Sequence, residues 1–381
     1  CALLLLGYTH LPAFAWRYPG HGGDEAIYYD NAVRMASTGR VIPLENFGNA
    51  HAVLWALGFR LTGPSLRTAL AINIVAVVGA GAVMAAVLSR LGVSPVGQVA
   101  GLAVGVLQPT LWQFTTLYSE PVFLLAVAGF LWMLVACREP QRWWWTGVAV
   151  VLPYYARFIW VGVMPLYLAI TFWSRPPGAS RRGWVGVVAA TLLTLAPAVW
   201  LRWHDLDDPW LLHSRQVAVY TSAVAARGAE GAGHGLTGPE RLAGWLARAR
   251  VDVPHVWEMA QWVYGRAGAG WLLIGVMLGL ILLGRVWPVL ALIGGWWLGL
   301  TFLICALSPW AAPARLFMPT AVLLGPIAVA GWDLWIARRA TLLARRTGLA
   351  VLLAGCGWQV AGSVGGAADA RAGHERLRLR Q

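Results

Sequence analysis

The feature that most constrains this sequence is a series of long apolar stretches with almost no charged residues. They lie at 68–89, 91–112, 119–137, 183–201, 267–284 and 286–312. An uncharged helix of 18 or more residues is long enough to cross about 30 Å of hydrocarbon. Only 12% of the 381 residues are charged, whereas soluble domains average about 25%. The pattern predicts an all-α, polytopic membrane protein.

The apolar stretches and their flanks predict about eleven transmembrane helices in a single domain over 1–363, followed by a basic tail at 364–381. The candidate helices are 1–16, 68–89, 91–112, 119–137, 143–156, 158–174, 183–203, 267–284, 286–307, 315–336 and 346–363. The stretch 143–173 is too long for one span and contains Pro153, which cannot continue a helical hydrogen-bond ladder unaided. We therefore expect two short helices that meet near Arg157.

The order of charges predicts the orientation. If the first helix leaves the cytoplasm, the short inside connections are all basic, and the short outside connections at 113–118 and 308–314 contain no basic residue. This is the positive-inside pattern, and it also accounts for the net charge of +13 without any nucleic-acid partner. The basic stretch 371–381 falls outside under this count, so either 346–363 does not span or one helix is miscounted.

Two long segments, 17–67 and 204–266, are outer loops in this topology. They hold eleven of the sixteen acidic residues, so we expect the chemistry on the outer side. In the first loop, the composition of 25–38 predicts a helix that ends at Gly39. Asp24 and Tyr28 share one face of it, together with Asn31 and Met35. This face would present a carboxylate and a phenol above the membrane core. Capping of the helix by Asp24 is the alternative, and both interpretations stay open.

Three charged residues lie beside apolar sequence near the predicted outer boundary. Glu120 stands between Ser119 and Pro121, where a helix N-terminus and a capping role are favoured. Arg157 and Arg315 are functional candidates, because ionisable residues are costly within a membrane. Their partner would be an anion, either a carboxylate of this protein or a lipid phosphate. Snorkelling to the interface is the alternative.

The second outer loop begins with a cluster of His204, Asp205 and Asp207 that offers ligands for a divalent cation. A solvated, acidic start of a loop explains the same residues more simply. No metal site or cofactor is therefore assigned, and a divalent cation stays a possibility.

The order of four stretches resembles the GT-C superfamily of glycosyltransferases, which are membrane-embedded and use lipid-phosphate sugars. Within it the sequence is most similar to the branch of protein O-mannosyltransferases and aminoarabinose–lipid A transferases. The stretches are Asp24-Glu25 with Tyr28 and the run to Pro43; His51 to Arg67; Ser119-Glu120-Pro121 with the following Val-Phe-Leu-Leu; and Ala314-Arg315-Leu-Phe-Met-Pro319.

The resemblance implies a helical membrane domain with two amphipathic helices in the first outer loop. It also implies a polyprenyl-phosphate sugar as donor. Asp24 would activate or orient the acceptor hydroxyl, with Glu25 as the neighbour able to substitute. Tyr28, His51 and Glu120 belong to the same motifs and are assigned to substrate binding.

The sequence departs from the aminoarabinose transferases at two places. They have an arginine where this chain has Ile27, and a basic residue near the second-helix re-entry, where it has Asn49 and His51. Phosphate binding is therefore assigned to Arg157 and Arg315.

The sequence thus predicts a bacterial, multi-pass protein of the cytoplasmic membrane whose active site faces outside. It would move a sugar from a polyprenyl-phosphate carrier to a hydroxyl of a protein, a lipid or a glycan. Two other functions stay open: a transporter or flippase of a lipid-linked substrate, and a non-catalytic protein of polysaccharide assembly. Transporters place ionisable residues near the bilayer midplane, whereas here they lie at the outer edge.

Overall fold

The computed structural model describes residues 24–43, 49–106, 119–137, 142–173, 180–206, 266–284, 287–307 and 314–337, and a few positions between 346 and 354. At 24–26, 103–106, 158–159, 206, 266–269, 301–307 and 314–323 it describes the backbone only. The predicted helices 1–16 and 346–363 and most of the loop 204–266 lie outside these segments.

Every regular element in the described segments is helical, which confirms the all-α prediction. The α-helices are α1 (Asp24–Thr38), α2 (Ala50–Thr62), α3 (Leu66–Arg90), α4 (Pro95–Val106), α5 (Glu120–Ala136), α6 (Trp144–Ala156), α7 (Val163–Trp173), α8 (Arg181–Leu206), α9 (Arg266–Gly284), α10 (Pro288–Leu307) and α11 (Ala314–Ala337), with a 3-10 helix at Phe158–Gly162.

Two of the described helices are both long and apolar enough to cross a membrane. They are α3 and α8, with mean hydropathies of 2.3 and 1.9 over their most apolar windows. Five shorter apolar helical segments lie in α5, α7, α9, α10 and α11. Only 17% of the α8 window is buried inside the protein, and Val185, Leu192 and Leu193 on it are exposed. Such apolar exposure suits a helix that faces lipid.

The predicted interruption near Arg157 is present, although its position differs from Pro153. Helix α6 continues through Pro153 and ends at Ala156. Arg157 then adopts an extended conformation (φ −146°, ψ 124°), and its N–H donates to the Pro153 carbonyl over 2.8 Å. The chain enters the 3-10 helix and then α7. The turn therefore leaves Arg157 between two short helices.

One end of the bundle, which we call the Arg157 end, contains the 3-10 helix that leads into α7. The same end also contains the starts of α3, α5 and α11. Helices α3 and α5 are parallel, because Gly79 lies beside Leu125 and Arg90 lies over the Trp132 ring. Helix α4 packs antiparallel to both α3 and α11, with Ser94 bonded to Asp333.

An aromatic cluster holds the turn that follows Arg157. The fully buried Trp160 has its ring near the rings of Phe123, Phe130 and Trp297. Its Nε1 donates to the Val150 carbonyl over 2.8 Å. Because the ring is packed on several sides and its N–H is bonded, the 3-10 helix has a fixed position against α5 and α6.

Helices α1 and α2 form a separate layer with its own small core. Tyr29, Ala32 and Met35 of α1 pack against Trp55 and other apolar residues of α2. Gly39, at φ +72°, ends α1 as predicted, because this left-handed backbone suits glycine. Helix α2 packs against α3, and it also contacts α6. The layer therefore lies at the Arg157 end, and it supplies the two helices predicted for the first outer loop.

Candidate active site

The buried ion pair of Glu120 and Arg157 is the centre of the candidate site. Nη1 of Arg157 donates to Oε1 of Glu120 over 2.6 Å. The Glu120 side chain is 1% exposed and that of Arg157 is 16% exposed. Of the two partners that the sequence allows for Arg157, the described contact is therefore with a carboxylate of this protein.

Glu120 begins α5 with Pro121 in the first turn, as the sequence predicts. The preceding Ser119 is the N-cap residue, and its side chain makes no capping hydrogen bond. The Glu120 carboxylate bonds the guanidinium of Arg157, so its role extends beyond the helix end. A carboxylate this deeply buried needs a compensating cation, since an uncompensated buried charge costs several kcal/mol.

The Arg157 guanidinium has capacity for a second anion. A guanidinium carries five N–H donors in a planar fork, and the bond to Glu120 engages Nη1. The partial exposure of the side chain gives other molecules access to this group. Guanidinium groups bind phosphates through paired hydrogen bonds.

A second guanidinium, that of Arg202, lies close to the same end of α6. Its Nη1 donates to the Tyr154 hydroxyl over 2.5 Å, and its Cζ lies 5.2 Å from the centre of the Tyr154 ring. Tyr154 precedes Arg157 by three residues, so one turn of α6 connects the two arginines. Arg202 is 6% exposed. It joins α8 to this end of the bundle.

Sequence patterns do not single out Arg202, because it borders the long segment 204–266, whose charges do not count toward topology. One signal could have found it. Arg202 falls inside the predicted helix 183–203, where an ionisable residue is costly, and α8 continues to Leu206.

The α1 face that carries Tyr28 is buried against α2. The Tyr28 ring meets the His51 ring edge-on at 4.3 Å, and His51 lies 5.4 Å from the Trp55 ring. Trp55 Nε1 in turn donates to Oδ1 of Asn73 on α3 over 3.2 Å. These four side chains are buried. The expectation of a phenol presented above the membrane core is therefore wrong, because the ring packs within the layer.

The remaining predicted residues are placed only in part. Asp24 and Glu25 are the first two residues of α1, and Arg315 is the second residue of α11. At these three residues the structure describes the backbone and not the side chain. Helix α11 begins at the Arg157 end, and α1 belongs to the layer at that end. The fold thus brings the three backbone segments to one end of the bundle.

The cluster of His204, Asp205 and Asp207, for which a solvated loop start is the simpler explanation, is described only at its start. His204 Nδ1 lies 3.0 Å from Asp205 Oδ1 in the last turn of α8, and both side chains are exposed. Asp207 lies outside the described residues. Within them, no group of three or more His, Cys, Asp or Glu side chains could hold a metal ion.

No protein-family model and no curated protein matches this sequence. Among solved structures, the chain is similar to the crystal structure of ArnT from Cupriavidus metallidurans bound to undecaprenyl phosphate. The two are 12% identical, with a TM-score of 0.50, and the match covers 90% of this chain and 71% of the ArnT chain. The chain therefore has an ArnT-like fold, that of a polytopic helical membrane protein.

Proposed function

We propose that this protein is a membrane glycosyltransferase that moves a sugar from a polyprenyl-phosphate carrier to an acceptor hydroxyl on the outer face of the bacterial cytoplasmic membrane. The observation that carries the proposal is the buried Glu120–Arg157 pair at the end of the bundle occupied by α1 and α2. The ArnT-like fold, solved in ArnT with undecaprenyl phosphate, supports the same class of carrier.

The reaction requires a base and a group that stabilises the departing phosphate. The acceptor oxygen forms a bond to the anomeric carbon, and the bond between that carbon and the phosphate oxygen breaks. The electron pair leaves with the phosphate, while the acceptor proton passes to the Asp24 carboxylate. Glu25 is the neighbouring acid. A guanidinium at the phosphate stabilises the charge that develops there.

We assign the phosphate to Arg157, with Arg315 as the second predicted cation. Glu120 is a positioning residue, since its carboxylate fixes one edge of the Arg157 guanidinium. Arg202 lies one helical turn away through Tyr154 and adds positive charge to the same end. Tyr28 and His51 hold α1, the helix that begins with Asp24, against α2.

The location suits a substrate with a lipid tail and a polar headgroup. The tail has to stay in hydrocarbon while the phosphate and the acceptor meet near water. Arg157 follows a helix end and is partly exposed, so a phosphate can reach it without crossing the bundle.

The function is tested with the purified protein in liposomes that contain radiolabelled polyprenyl-phosphate sugars, assayed one sugar at a time. Release or transfer of the label from the carrier supports the enzyme. Movement of the labelled carrier across the bilayer without chemistry supports a transporter. The absence of both transfer and movement supports a non-catalytic assembly protein. Asp24→Asn should abolish transfer in a protein that still inserts, and full activity in this variant would remove Asp24 from the mechanism.

Binding of undecaprenyl phosphate to the purified protein tests Arg157 separately. Arg157→Gln should weaken binding roughly 10- to 100-fold, as expected for loss of a charge-assisted contact. Arg90→Gln is the matched control, because Arg90 lies at the opposite end of α3. Since Arg157→Gln also removes the cation beside Glu120, the Glu120→Gln/Arg157→Gln variant is measured alongside. Unchanged binding in that well-folded double variant would contradict the assignment.

A further inference from the structure

An open groove of about 570 Å³ lies between α6 and α8, away from the Arg157 end. Its lining includes Trp144, Val148, Gly183, Gly186, Ala190 and Leu193. The groove is predominantly apolar, and it lies on α8, of whose most apolar window only 17% is buried inside the protein. In a membrane protein, such a surface is covered by lipid chains.

The groove exists because α6 and α8 run parallel and are closest on one side only. Gly147 lets α6 approach the Val187 carbonyl and the Thr191 hydroxyl of α8. On the side of Trp144, a β-carbon at Gly186 would lie 3.8 Å from the Trp144 Cβ, which is ordinary van der Waals contact. Small side chains thus leave a slot beside the Trp144 ring.

The mouth of the groove is strongly basic. Arg142 precedes α6, and Arg181 and Arg182 begin α8; all three are exposed. A β-carbon at Gly183 would lie 3.5 Å from the Trp143 ring, so the two helix starts are adjacent. Three exposed arginines thus lie where the two helices begin, and their charge favours an anion.

Two tryptophans indicate at which level of the membrane the mouth of the groove lies. The Trp144 and Trp145 rings stack at 4.0 Å, and they are 39% and 43% exposed. Tryptophan favours the boundary between hydrocarbon and water. The arginines then lie at the headgroup level, and the groove extends from there into the hydrocarbon.

We propose that this groove is a binding site for an anionic phospholipid of the bilayer, with its phosphate on Arg181 and Arg182 and one acyl chain beside Trp144. Basic clusters between transmembrane helices are suited to anionic headgroups. Helix α6 separates Trp144 from Arg157 by thirteen residues, or about 20 Å. The lipid is thus distinct from the proposed carrier at the Arg157 end, and the proposal stands whether or not the protein is a transferase.

Native mass spectrometry of the purified protein, with phosphatidylglycerol or phosphatidylcholine added, tests the headgroup. The unchanged protein should retain phosphatidylglycerol in preference to phosphatidylcholine. Arg181→Gln/Arg182→Gln should weaken phosphatidylglycerol binding roughly 30-fold. Each arginine contributes about 1 kcal/mol to the attraction of an anionic lipid, and about 1.4 kcal/mol corresponds to a tenfold change in affinity. Arg34→Gln/Arg40→Gln removes two exposed arginines of the α1 region and should leave binding unchanged.

Filling the groove tests the acyl chain. Gly186→Leu should reduce retention of phosphatidylglycerol, because its side chain occupies the slot and its first carbon fits. Gly299→Leu on α10, where a β-carbon meets nothing within 4 Å, is the control for an added leucine. Equal retention of both lipids, full retention in the arginine or groove variant, or displacement of phosphatidylglycerol by undecaprenyl phosphate would each overturn the proposal.

Discussion

Arg157 Nη1 lies 2.6 Å from Glu120 Oε1, and this bond joins the start of α5 to the break between α6 and α7. The two residues are far apart in sequence, and each lies at the end of a helix. A buried carboxylate and a partly exposed guanidinium at a helix break form a site in which one charge is fixed and the other is accessible. Such an arrangement holds the guanidinium in one orientation.

Removal of one member of the pair should be more harmful than removal of both. Glu120→Gln is expected to lower the free energy of unfolding by roughly 3–5 kcal/mol, because Arg157 loses its charged partner in a poorly solvated place. Glu120→Leu/Arg157→Met should recover most of this stability, while it weakens phosphate binding to the same extent as Arg157→Gln. Thermal unfolding in detergent measures the first effect, and binding of undecaprenyl phosphate measures the second. Additive losses in the double variant would show that the pair is not coupled.

The Tyr154 hydroxyl should position Arg202. Tyr154→Phe keeps the ring beneath the guanidinium but removes the acceptor, so we expect a loss of roughly 1.5–3 kcal/mol of stability, the range for a hydrogen bond to a charged group. Tyr155→Phe is the comparison, because the Tyr155 hydroxyl donates to the Thr194 carbonyl instead. If Arg202 contributes charge at the Arg157 end, only Tyr154→Phe should also weaken binding of undecaprenyl phosphate. Equal effects of both variants on binding would indicate a general loss of packing.

The sequence predicts the helices well, because hydrophobic length and basic flanks determine where a span begins and ends. The predicted span 68–89 corresponds to α3, and the predicted interruption near Arg157 is present. The position of this interruption relative to Pro153 was less predictable. A proline in the last turn of a helix removes one donor, and α6 continues to Ala156 before it ends.

The contacts of the candidate site are harder to predict, since they depend on which helices lie side by side. Periodicity places Tyr28 on a face of α1, but it does not reveal that α2 covers this face. Arg202 escapes prediction for the same reason: its contact with Tyr154 exists only because α6 and α8 run parallel. Charge near an apolar stretch identifies Arg157 as a candidate, and the fold supplies Glu120 as its partner.

The crossing of α9 and α11 should tolerate no side chain at Gly331. A β-carbon there would clash with the backbone of Gly275 and Gly279, and small residues allow such close approach of membrane helices. Gly331→Ala should destabilise the protein by roughly 1–3 kcal/mol, the range for overpacking. Gly299→Ala should have little effect, because its surroundings are open. Similar midpoints of thermal unfolding for the two variants would contradict the close crossing.

The hydrogen bond between Trp55 and Asn73 should hold α2, and α1 with it, in a fixed position against α3. Asn73→Leu leaves the buried indole N–H without this acceptor, and we expect a loss of roughly 1–3 kcal/mol. Trp55 packs on His51, and His51 packs on Tyr28. A displacement of the Trp55 ring should therefore also displace α1, the helix that begins with Asp24. In a transfer assay, kcat should therefore fall more than KM for the donor rises. Trp55→Phe/Asn73→Leu removes both polar groups and should regain stability, while kcat stays low if the register of α1 matters. Full recovery of kcat together with stability would limit the role of this bond to folding.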